Sequence, residues 1–129
     1  MATIATQLPT VAAPITPTYT AVTAADKFTA QPGTTYMISY VNGATAGTLT
    51  LWVLEQVATP PVGAQAPAIP TGATKWSDAL ISSALGSNAS RIIVLDKSII
   101  SNFIDSTGFV NLKHNGVLTS ITVAIFGPF

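Results

Sequence analysis

Apolar and polar residues alternate with a period of two along much of this chain. In residues 35–41, Tyr36, Ile38 and Tyr40 fall on one face, and Met37, Ser39 and Val41 on the other. Alternation among aromatic and β-branched residues predicts a strand. Residues 48–57 repeat the pattern. Leu49, Leu51, Val53 and Val57 share one face; Thr50, Trp52, Leu54 and Gln56 share the other. Both faces are rather apolar, which predicts a central strand covered on both sides. Residues 91–95, Arg-Ile-Ile-Val-Leu, read as a further buried strand. In residues 117–126, Val117, Thr119, Ile121, Val123 and Ile125 line one face. Residues 18–23 and 109–113 supply two more short strands.

Turn signals separate these runs. Pro32-Gly33 suits a type II turn. Asn42-Gly43 to Gly47 reads as a long hairpin connection, and residues 105–108 as a turn cluster. His114-Asn115-Gly116 between two alternating runs is the strongest hairpin signal. Residues 76–85 fit a short helix and a strand about equally, and residues 98–104 a turn of helix or a bent strand. No internal repeat occurs. Six or seven strands with little helix predict an all-β fold, a single antiparallel β-sandwich or small β-barrel.

Two segments break the alternation. Residues 1–20 carry Pro9, Pro14 and Pro17, which exclude a helix and a central strand. They read as an extended N-terminal arm, with Ile4, Leu8, Val11 and Ile15 as spaced anchors for a neighbouring subunit. The stretch 1–25 has no charge, but its apolar residues come singly. It resembles neither a membrane span nor a secretory signal, so manufacture in the cytoplasm is expected. Residues 21–129 are then the β-domain, interrupted at 58–74 by a Pro-rich loop. No charge occurs between Glu55 and Lys75. Loops of this length are usually functional or disordered.

Composition narrows the function. Charged residues are 8% of the 129, against about 25% in an average domain. Five Lys/Arg balance five Asp/Glu, and there is no Cys. Disulfide frameworks and thiolate metal sites are excluded. Nucleic-acid binding lacks its basic footprint. A neutral, apolar surface favours association, so a life within an assembly is expected.

Candidate chemistry is sparse. The only histidine, His114, falls in a predicted tight turn, where exposure is expected. Asp96 and Asp105 flank residues 98–104 and are the pair to weigh for a cation, while residues 105–108 lack the acidic density of a calcium loop. No phosphate-binding glycine motif is present. The sequence Asn88-Ala89-Ser90 matches a glycosylation acceptor by chance. These readings predict no enzyme, no cofactor, no metal, and neither a nucleic acid nor a membrane as partner. The candidate interface residues are Ile4, Leu8, Val11, Ile15, Tyr19, Pro60, Pro61, Trp76 and Phe129.

The order of features also carries a resemblance. It runs through Ala21-Val22-Thr23-Ala24-Ala25, Asp26-Lys27-Phe28, Pro32-Gly33, Thr35-Tyr36-Met37-Ile38 and Val41-Asn42-Gly43. It closes with Arg91-Ile92-Ile93-Val94-Leu95, Phe103, residues 105–108, a strand from Phe109, and residues 119–125. This resembles small structural proteins of tailed bacteriophages that decorate or cement the capsid. The stretch 59–85 is longer than in that pattern. The resemblance implies a β-sandwich on the outer surface of the virion head, bound to the major capsid protein, usually as a homodimer or homotrimer. A phage tail or adhesin-type module is the alternative, and a carbohydrate-binding β-sandwich a more distant one.

Overall fold

The computed structural model describes residues 2–45, 47–55, 75–76 and 81–129. The strands are β1 (Ala2–Thr3), β2 (Thr6–Gln7), β3 (Thr20–Ala21), β4 (Ala25–Thr29), β5 (Tyr36–Asn42), β6 (Gly47–Glu55), β7 (Lys75–Trp76), β8 (Ile81–Leu85), β9 (Ser90–Leu95), β10 (Phe109–Asn115) and β11 (Ile121–Phe126). Among the described residues a single 3-10 turn covers Ile100–Asn102. One sheet has the order β1-β4-β10-β6-β7, with β8 also on β6. The other has the order β2-β11-β5-β9, with β3 also on β11. The fold is a β-sandwich of two mixed sheets, not a closed barrel.

The period-two pattern builds the core. Phe28, Leu49, Leu51, Val53, Val110 and Leu112 from one sheet are buried in the same cluster as Tyr36, Ile38, Tyr40, Ile121, Val123 and Ile125 from the other. Each fully buried side chain of this size contributes roughly 1.5–3 kcal/mol.

The connections differ from the sequence reading. Residues 42–47 and 114–116 were both expected to close hairpins. Instead, β5 and β6 lie in different sheets, as do β10 and β11. Both links cross the end of the sandwich. At the second crossing, Gly116 has φ +119°, and a Cβ there would sit 2.5 Å from the Thr48 carbonyl oxygen. The Val117 N–H donates to Thr48 Oγ1 at 2.8 Å, and the Thr48 N–H donates to the Val117 carbonyl at 3.1 Å. These bonds hold residues 117–120 away from a ladder, so the last strand begins at Ile121, not Val117.

The N-terminus also departs from expectation. β1 runs parallel to β4, and β2 runs parallel to β11. Between them Ile4 enters the core at 3% exposure. The expected arm is thus part of the sandwich as far as Gln7. The outer edges of β4 and β11 would otherwise present unpaired N–H and C=O groups, and the N-terminal residues cover both. Pairing stops just before Pro9, which has no N–H to donate. The run 91–95, expected to be buried, forms β9 at the end of its sheet, with Ile92 59% and Val94 52% exposed. Among the described residues no helix is long and apolar enough to cross a membrane.

Val123→Asp should abolish folding, because Val123 is fully buried and an unpaired interior charge costs several kcal/mol. Thr119→Asp, at an exposed position, should melt like the parent. Circular dichroism melts of the two variants check this.

Candidate functional site

Several segments meet at one end of the sandwich. Thr35 knits them together. Its backbone exchanges hydrogen bonds with Phe129, at 3.2 Å for Thr35 N–H to Phe129 O and 3.0 Å in return. Its hydroxyl donates to Asp96 Oδ1 at 3.2 Å and accepts the Lys97 N–H at 3.0 Å. The Gly127 N–H donates to the Gln7 carbonyl at 2.8 Å. The exit of β2, the start of β5, the end of β9 and the C-terminal residues are therefore fixed to one another.

Residues 8–17 leave this end as a closed loop. The Gln7 side chain acts as a staple: Nε2–H donates to the Thr18 carbonyl at 2.8 Å, and Oε1 accepts the Thr18 N–H at 2.8 Å. The amide thus pairs in both directions, as a ladder peptide does. Further out, Thr10 and Ala13 exchange backbone bonds at 3.2 Å, and Thr10 Oγ1 accepts the Ala13 N–H at 2.9 Å. Three prolines fix φ around this turn and restrict the unfolded chain. Val11 stands fully exposed at the turn. Leu8 and Ile15 are also exposed, and residues 8–17 carry no charge. The chain returns through Tyr19, whose hydroxyl lies 3.0 Å from Ser39 Oγ on β5.

Five of the candidate interface residues are therefore on or beside this end: Leu8, Val11, Ile15, Tyr19 and Phe129, all of them exposed. Ile4 is not among them, because it packs inside. The Trp76 backbone lies in β7, paired with Leu54 of β6. Pro60, Pro61 and the rest of the Pro-rich loop lie outside the described residues. Ile99, 39% exposed, follows the Asp96–Lys97 pair and was missed. The staple was missed too, since nothing local links a glutamine to a residue eleven positions on.

A second group is sealed inside. His114 was expected in an exposed turn; it is 2% exposed. β10 runs on through Asn115, so His114 continues the inward series Val110, Leu112. That alternation was the available signal. The Thr23 carbonyl can only accept, so His114 Nδ1 carries a proton and donates to it at 2.8 Å. Nε2 is then the acceptor for the Tyr40 hydroxyl at 2.7 Å. Asp26 Oδ2 lies 3.4 Å from Nδ1. It also accepts the Thr23 N–H at 2.9 Å, while Oδ1 accepts Thr23 Oγ1–H at 2.5 Å and the Ala2 N–H at 3.2 Å. Burial pushes the His114 pKa below 6.5, outweighing the Thr23 bond and the Asp26 charge. Burial, then the Asp26 charge, holds the Tyr40 phenol well above its usual value. With Asp26 and His114 side chains wholly shielded from solvent, the group is a structural clasp between the sheets.

The carboxylates weighed for a cation are occupied. Burial raises the Asp105 pKa, but hydrogen bonds from Thr107, Asn111 and Phe109 outweigh it and bring it to about 2. A hydrogen bond from Ser98 leads the lowering at Asp96, against a smaller burial effect. Among the described residues no three His, Asp or Glu side chains cluster as metal ligands would. No family model, curated protein or solved structure matches the chain.

His114 is the only histidine, so its titration is readable. The folded form resists protonation and the unfolded form takes a proton near 6.5. Stability should therefore be level above pH 6.5 and fall as the pH drops below it. Urea unfolding at a series of pH values between 7.5 and 5 should show this slope, and His114→Gln should remove it.

Proposed function

We propose that this chain is a virion structural protein, a cement or decoration protein that binds the major capsid protein on the outer surface of a tailed-phage head and stabilises the shell. The reading rests on the resemblance in strand and turn order. The single structural observation that supports it is the stapled loop 8–17, an uncharged protrusion with Leu8, Val11 and Ile15 exposed. A pre-closed loop loses less conformational entropy on docking than a free arm. Apolar contacts also lack the salt sensitivity of exposed charge pairs. Modest affinity per copy is sufficient where many linked contacts act together.

Deleting residues 2–17 outright would remove β1, β2 and the core residue Ile4, so a loop-only variant is the cleaner test. The double substitution Val11→Asp with Ile15→Asp alters two exposed side chains and should leave the melting curve unchanged. Its binding to undecorated heads should drop at least tenfold, by co-sedimentation. Full binding by the double variant would remove the loop from the interface. Binding of the parent to tails in place of heads would favour the tail reading.

A further inference from the structure

Among the described residues β9 is an uncovered edge of the second sheet. The opposite edge of that sheet, on β11, is covered by β2 and β3. Among the described residues nothing pairs with the outer side of β9. Natural edge strands usually carry lysine, proline or a bulge that blocks further pairing. β9 has none of these, and Arg91 is its only charged residue. Ile92 and Val94 project from it, 59% and 52% exposed.

The hydrogen-bond phase of the edge can be read directly. The Asn42 N–H donates to the Ala89 carbonyl at 2.9 Å. Ala89 and Asn42 continue the register of Arg91 with Tyr40, Ile93 with Ile38 and Leu95 with Tyr36. In an antiparallel ladder, alternate residues point their N–H and C=O groups to opposite sides. Arg91, Ile93 and Leu95 therefore bond to β5. Ser90, Ile92 and Val94 turn theirs to the free edge. In keeping with this, the outward Ser90 carbonyl is taken by Arg91 Nη1 at 2.9 Å.

We propose that β9 pairs with β9 of a second copy, antiparallel across a two-fold axis, extending the second sheet through the dimer. The register that matches apolar to apolar sets Ile92 opposite Val94 of the second copy, with Ile93 facing Ile93 at the axis. Both outward-facing pairs then exchange two backbone bonds each. The same register sets Arg91 opposite Leu95 of the second copy. The net charge of the chain is zero, so no overall repulsion opposes the pairing. This pairing is independent of the capsid reading, because it requires only the purified chain.

The test is the mass in solution, by sedimentation equilibrium on the full chain. The parent should sediment at twice the chain mass at micromolar concentrations. Val94→Lys changes an exposed side chain and should give a folded monomer. Ile92→Pro should do the same, since the lost N–H faces the free edge and not β5. The chain has no cysteine, so Ile93→Cys adds a single thiol, which should cross-link the dimer under mild oxidation. A monomeric parent would overturn the proposal, as would a dimer that survives both edge substitutions. A dimer in which Ile93→Cys fails to cross-link while Ile92→Cys does would overturn the register.

Discussion

The fold turns on one buried carboxylate. Asp26 on β4 gathers the Ala2 N–H of β1, the N–H and hydroxyl of Thr23, and the imidazole edge of His114 on β10. His114 passes the chain on to Tyr40 of β5, in the opposite sheet. Four parts of the sequence and both sheets are thus tied through four side chains. A one-residue slip of β4 or β10 would turn Asp26 or His114 outward and leave buried polar groups without partners. The apolar core sets how strongly the sheets adhere. The polar clasp sets how they align.

That alignment reaches the surface through the N-terminus. β1 is held at Asp26, Ile4 is sunk in the core, and β2 is paired to β11. Gln7 therefore stands in a fixed place when its amide closes on Thr18. The loop beyond it inherits that position. This differs from a free arm in energetic terms. Much of the ordering of residues 8–17 is completed on folding, so contact with a partner has less entropy to overcome. The apolar residues it presents would be a liability on a lone soluble domain and an asset on one held in an array.

The long strands β5, β6, β9, β10 and β11 were legible, whereas β1, β2 and β4 were not read as strands. The alternation in 35–41 and in 117–126 marked the inward residues of β5 and β11 correctly, because side-chain direction follows strand period whatever the partner. Pairing was not legible. Asn115-Gly116 has the local chemistry of a hairpin, yet β10 finds its neighbours in β4 and β6, and β11 in β5. That choice depends on which apolar faces meet across the sandwich, a non-local matter. For the same reason residues 91–95 read as buried while β9 lies at an edge. At the candidate site, the proline spacing and missing charge singled out Leu8, Val11 and Ile15, and all three are exposed. The bond from Gln7 to Thr18 left no local trace, and Ile4 looked like its neighbours until the core claimed it.

The central claim is that this chain is a structural component of a virion head. Quantitative mass spectrometry of purified virions, before and after removal of tails, tests it most directly. The account predicts a stoichiometry near that of the major capsid protein, retained by tail-free heads. A few copies lost with the tails, or absence from virions, would contradict it.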